Sequence, residues 1–216
     1  MRKHGNVLAF VILTVSILAA VPDVLSGQES DATLLVDADH RVRMVYWDAG
    51  LFPVNGWEGW FTRHRTRAGV TWNPSPEFRV RAAFANEFFS WYRHRDKPDF
   101  TLDEIFFDNL YVQWRPETLP LEVTLGRQNM PLGEGFVVMD GSPLDGSRSI
   151  YFNALRADIH PAEDHRITLF AMHQPAQDDL LPRINDSDRR LFDTDKDGIG
   201  VYYTGLVASS SLSTYY

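Results

Sequence analysis

Three short runs set arginines two residues apart: Arg41 and Arg43, then Arg63, Arg65 and Arg67, then Arg79 and Arg81. A β-strand sends alternate side chains to opposite faces, so each run would line its guanidinium groups along one face. Guanidinium is a planar fork that stays charged and grips carboxylates through paired hydrogen bonds. A wall of such rows attracts and guides anions; it makes and breaks no bonds. The bias is toward arginine specifically, because the lysines are Lys3, Lys97 and Lys196 alone. From Arg41 to Arg95 the chain holds nine arginines against four acids, Asp48, Glu58, Glu77 and Glu87. Other acids gather in expected loops, such as Asp178, Asp179, Asp186, Asp188, Asp193, Asp195 and Asp197. A codon bias toward arginine would give the same enrichment without function, so the elements carrying the rows decide the matter.

Those elements read as strands. In the stretch from Trp60 to Trp72 the arginines share one parity, while Trp60, Ala68, Val70 and Trp72 share the other. Phe78, Val80, Ala82 and Phe84 alternate with Arg79, Arg81, Ala83 and Ala85, and Pro74 and Pro76 mark the turn between the two runs. Val42, Met44 and Tyr46 alternate with Arg41 and Arg43 in the preceding strand. Weaker strands are expected over Phe106 to Trp114, Leu121 to Gln128, Ile150 to Ile159, Arg166 to His173 and Ile199 to Val207. The total is about eight. Trp47, Trp57, Trp60, Trp72, Trp91 and Trp114 fall near expected strand ends. Apolar-out, polar-in strands of about 9 to 11 residues with terminal aromatics are the signature of a transmembrane β-barrel. The fold class expected is therefore all-β, an antiparallel transmembrane β-barrel. A soluble β-sandwich of a periplasmic glycan binder also alternates, with its polar face toward water.

The first residues read as an address. Arg2, Lys3 and His4 precede an uncharged apolar run from Val7 to Val21, broken by Pro22 and followed by the small residues Ser26 and Gly27. This is the three-part secretory pattern, with cleavage expected after Ser26 or Gly27. The run is about 15 residues, short of the roughly 20 that a spanning helix needs. The organisation expected is a signal peptide over 1–27, a barrel region over 28–207 and an irregular Ser-rich tail over 208–216. A net charge of −8 argues against a nucleic-acid partner. The chain has no cysteine, so no disulfide framework holds it.

Gly126-Arg127-Gln128 closes a strand, and a long loop with two Asp-Gly steps follows, Asp140-Gly141 and Asp145-Gly146. Asp-Gly favours tight turns, and long structured loops tend to carry function. The Arg-rich strands, Asp108-Asn109-Leu110-Tyr111-Val112, Leu125-Gly126-Arg127-Gln128 and Asp140 to Ser149 ahead of Tyr151 to Arg156 together resemble the alginate export family of outer-membrane porins. The resemblance runs from about Arg41 to Tyr203. It implies a passive, anion-selective export channel for an anionic polysaccharide such as alginate, set in outer-membrane lipid beside a periplasmic export assembly. It implies that Arg43, Arg63, Arg65, Arg67, Arg79 and Arg81 face the lumen. It gives Arg127 and Arg148 a lining or bracing role, and makes Asp140 and Asp145 polar partners in an inward-folded loop. Family members are much longer, so the chain is expected to be the N-terminal portion of a larger barrel. A closed eight-stranded barrel would be filled by its own side chains.

Enzymatic motifs are missing. There is no Gly-x-Ser-x-Gly elbow, no cysteine nucleophile, no Walker loop and no dinucleotide fingerprint. Neither enzymatic activity nor a cofactor nor a metal is expected. Asp193-Thr194-Asp195-Lys196-Asp197-Gly198 resembles the start of a calcium loop, yet its twelfth position is Thr204 in place of glutamate. A solvated turn is the expected reading there. His160, His165 and His173 lack the spacing of a metal pair and are expected at strand ends and loops.

Overall fold

The computed structural model describes residues 13–20, 32–47, 59–92, 105–133, 138, 151–185, 194–207 and 210–216. Every regular element among them is a strand: β1 (Leu13–Ala20), β2 (Thr33–Trp47), β3 (Gly59–Ser75), β4 (Phe78–Tyr92), β5 (Ile105–Trp114), β6 (Leu121–Gln128), β7 (Phe152–Ala162), β8 (His165–Gln174), β9 (Lys196–Val207) and β10 (Ser210–Tyr215). Each pairs antiparallel with its neighbours in sequence, giving one 10-stranded meander. The sheet is open, with β1 and β10 at its edges. No helix among the described residues is long and apolar enough to cross a membrane.

The eight strands expected from alternation are β2 to β9. Two more appear. Leu13–Ala20, from the apolar run read as a signal, pairs with β2 from Leu13↔Met44 to Ala20↔Asp37. The run is rich in β-branched residues, Thr14, Val15 and Ile17, which suit a strand. The tail expected to be irregular is corrected to a strand over Ser210–Tyr215, paired with β9. Its anchor is Tyr215, opposite Tyr202, with ring centroids 4.5 Å apart. Serine count misled here, because one well-packed aromatic and a neighbouring strand's hydrogen bonds outweigh weak propensity.

The two ends of the sheet differ. Residues 76–77, 115–120, 163–164 and 208–209 join strands at one end in short connections, and the longer β1–β2 connection, 21–32, lies at this end too. At the other end the connections 48–58, 93–104, 129–151 and 175–195 are long. Pro76 supports the first short turn, and Pro161 near the end of β7 coincides with a register shift between Ile159 and Ala162. A proline cannot donate to the ladder, so a strand end is where it fits.

The two faces differ as well. Phe61, Arg65, Gly69 and Thr71 of β3 are buried, whereas Trp60, Thr66, Ala68, Val70 and Trp72 are exposed. The same parity continues around the sheet, leaving Leu34, Phe84, Val112, Leu125, Leu155 and Ile199 exposed on the outer face. Large apolar groups therefore point outward, and arginines point inward.

Candidate anion-guiding wall on the inner face

Register brings the arginine rows together. Arg41 of β2 stands opposite Arg65 of β3, and Arg43 opposite Arg63. Glu87 of β4 stands on the other side of Arg65. Neighbouring strands lie ~4.8 Å apart and same-face residues ~6.6 Å apart along a strand, so the four guanidinium groups spring from a small patch. Directly opposed like charges weaken a sheet. A wall built for stability alone would alternate signs; this one concentrates positive charge near the long-loop end, with Glu87 set among the four. Arg41, Arg43, Arg65 and Glu87 are all buried on the inner face.

Toward the short-turn end the charges are matched. Arg67 Nε donates to Asp39 Oδ2 at 2.8 Å, and its Nη1 lies 3.8 Å from Asp108. Arg81 makes a two-pronged pair with Asp37, at 2.8 and 3.0 Å, and donates to Thr71 Oγ1. Arg79 Nε donates to Asn73 at 3.0 Å. The β5–β8 side of the same face is likewise mixed. Asp158, 2% exposed, sits 2.7 Å from Arg156 Nε, accepts from Thr168 Oγ1 and lies 3.8 Å from Arg166. Arg115 pairs with Glu122, which also accepts from Gln113. The inner surface thus grades from a cationic patch on β2–β4 to nearly neutral pairs elsewhere.

The remaining inner surface is filled. Met130, Leu132 and Val138, from the start of the β6–β7 connection, bury against Phe152, Ala154 and Tyr202, with Phe170 and Met172 alongside. Tyr215 Oη donates to the Leu132 carbonyl at 3.0 Å. The start of this connection packs on the inner face, and the residues expected to carry its inward fold lie beyond it. Asp140, Asp145 and Arg148 lie outside the described residues.

Of the arginines expected to face the lumen, Arg43, Arg63, Arg65, Arg67, Arg79 and Arg81 share the inner face. Arg127 is a correction to the anion-binding set: of the two roles weighed for it, bracing fits. Its side chain is 1% exposed, paired with Asp178 and stacked on the Tyr151 ring at 3.8 Å from the centroid. It also donates to Asn153 Oδ1 and the Phe107 carbonyl. With four of its five N–H donors engaged and its side chain buried, this guanidinium is a brace and not a site for a passing anion. Arg41, Asp37, Asp39 and Glu87 complete the wall; sequence reasoning missed the three acids, and their parity with Arg43 and Arg81 is the signal that could have found them. Asp108 was not, because it sits at an irregularity in the β4–β5 register.

The other candidate clusters resolve into local pairs. His165 meets Tyr203 at 2.6 Å and His173 meets Asp197 at 2.8 Å. Asp195, from the calcium-loop-like run, accepts from the Ala176 amide at 2.7 Å. Among the described residues no group of three or more His, Asp or Glu is placed to hold a metal ion. Comparison with protein-family models, curated proteins and solved structures finds no match to this chain.

Proposed function

We propose that the chain forms the wall of an outer-membrane β-barrel, a passive export channel whose arginine patch on β2–β4 selects anions, polysaccharides such as alginate among them. One observation carries the reading: the sheet turns arginines inward and an apolar belt outward. The belt has the right height. Trp60 and Trp72 bracket β3 twelve residues apart, and both are exposed. That is about 40 Å along the strand at ~3.3 Å per residue. A tilt of about 40° shortens it to about 30 Å, close to the ~25 Å apolar band between aromatic girdles. Short turns at one end and long loops at the other also match the periplasmic and outer ends of such barrels.

The test is the reversal potential of the full chain in a planar bilayer under a potassium chloride gradient. A chloride-preferring channel is the expected result. A cation-preferring channel, or none after refolding in detergent, sinks the proposal.

A second experiment separates a lipid-facing belt from an exposed soluble surface. Ala68 is exposed on the outer face, between Trp60 and Trp72 and opposite Phe84. Ala68→Arg should destabilise folding into lipid vesicles by about 2–4 kcal/mol, the cost of arginine near the bilayer midplane. On a soluble sandwich the same exposed change falls within about 0.5 kcal/mol of neutral. Urea titration in vesicles reads the difference.

A further inference from the structure

The segment 175–185 leaves β8 on the inner side. Gln174, Ala176 and Asp178 are 7%, 9% and 0% exposed. It does not stay beside its sequence neighbour β9. It reaches back past β7 and β6 to β5, where Ile105 and Ile184 exchange backbone hydrogen bonds of 2.9 and 3.0 Å. On the way, Asp178 closes on Arg127 of β6 through two contacts, Nη2 to Oδ1 at 2.8 Å and Nη1 to Oδ2 at 3.1 Å. A connection between adjacent strands needs none of this, since neighbours can be joined directly. Fully burying a carboxylate and a guanidinium is costly unless their geometry and remaining hydrogen bonds are satisfied. Here they are: Asn153, the Phe107 carbonyl and the Tyr151 ring complete the Arg127 shell.

We infer that segment 175–185 is a crossbar fixed across the long-loop mouth, and that the Arg127–Asp178 pair, by holding it there, sets the largest solute the channel passes. This rests on the pore reading above. Charge selection and size selection are then separate: the first belongs to the β2–β4 arginines, the second to a strap anchored on β5 and β6. Asp178 is a positioning residue, and its loss should move pore size and leave the sign of selectivity alone.

The absence of cysteine from the chain makes the geometry directly testable. Residues that exchange both backbone hydrogen bonds sit with Cα atoms about 5.5 Å apart, inside the range a disulfide spans. Ile105→Cys with Ile184→Cys, in the refolded full chain, should therefore oxidise nearly completely, read by mass and gel mobility. Failure to cross-link overturns the crossbar whether or not the protein conducts. In bilayers, Asp178→Asn should raise single-channel conductance roughly twofold and admit larger neutral sugars, with reversal potential unchanged. Adding the 105–184 disulfide to Asp178→Asn should restore the original conductance. An Asp178→Asn channel of unchanged conductance and size cut-off overturns the role given to the pair while leaving the pore standing. A wild-type chain that forms no channel removes the pore and the size role together, and the cross-link alone then decides whether the strap exists.

Discussion

Replacing Arg41, Arg43, Arg63 and Arg65 together by glutamine is expected to abolish the anion preference of the channel. At an effective dielectric constant near 20, one charge ~5 Å from a passing ion contributes about 3 kcal/mol, and in a wetter lumen nearer 1 kcal/mol. Four such charges, with Glu87 opposite Arg65, make a strong contribution to the field there. Since about 1.4 kcal/mol is tenfold, their loss should lower the chloride-to-potassium permeability ratio by more than roughly tenfold. With Glu87 left in place, the reversal potential should cross toward the cation side. Folding should survive, because the change removes like-charge repulsion between opposed cross-strand pairs. Arg115→Gln, at the short-turn end, is the matched control and should leave selectivity as it was. A quadruple variant that still prefers chloride would mean that the selecting charges lie elsewhere.

Gly126→Ala is expected to be the most damaging single methyl group in the described structure. Gly126 has a φ of 128°, a region that side chains avoid, and a Cβ there would collide with the Leu110 carbonyl and come within 2.9 Å of Tyr111 Cα. Both obstacles are backbone, so neither can swing aside. Backbone strain of this kind costs about 1–3 kcal/mol, and the collision adds to it. The conformation has a purpose. In a regular strand Arg127 and Gln128 would point to opposite faces, yet they are 2% and 3% exposed. The irregularity at Gly126 turns Arg127 to Asp178. Urea midpoints in vesicles should therefore fall sharply for Gly126→Ala, and the crossbar should loosen with them. Gly133→Ala is the informative contrast. Its φ of 60° is also left-handed, but the atoms its Cβ would meet are the hydroxyls of Tyr202 and Tyr215, at 2.6 and 2.7 Å. Those are side-chain ends that can give way, so the loss should be smaller. Equal losses would show that Gly126 holds no special place in the β5–β6 pairing.

What could be read from residues alone was whatever depended on period two. Strands β2 to β4 announced themselves because apolar and arginine positions alternate, and β5 to β9 more weakly through apolar alternation; alternation assigns each residue a face whatever its partner. The inward parity of Arg43, Arg63, Arg65, Arg67, Arg79 and Arg81 followed at once. Strand β10 was hidden because serines carry little β signal, and its stability comes from Tyr215 against Tyr202, a contact across strands.

The sequence by itself determined the alternation and the two-faced sheet, because these are local properties of a pleated chain. Only the tertiary structure decided which groups stand beside each arginine. Arg67 and Arg81 look like Arg63 and Arg65 in the sequence, but register sets Asp39 and Asp37 within their reach. Arg127 reads in the sequence as a lining or a bracing residue, and bracing wins because a positive-φ glycine precedes it and the connection after β8, two strands away, supplies Asp178. Register and loop docking are long-range events, and no local pattern encodes their partners.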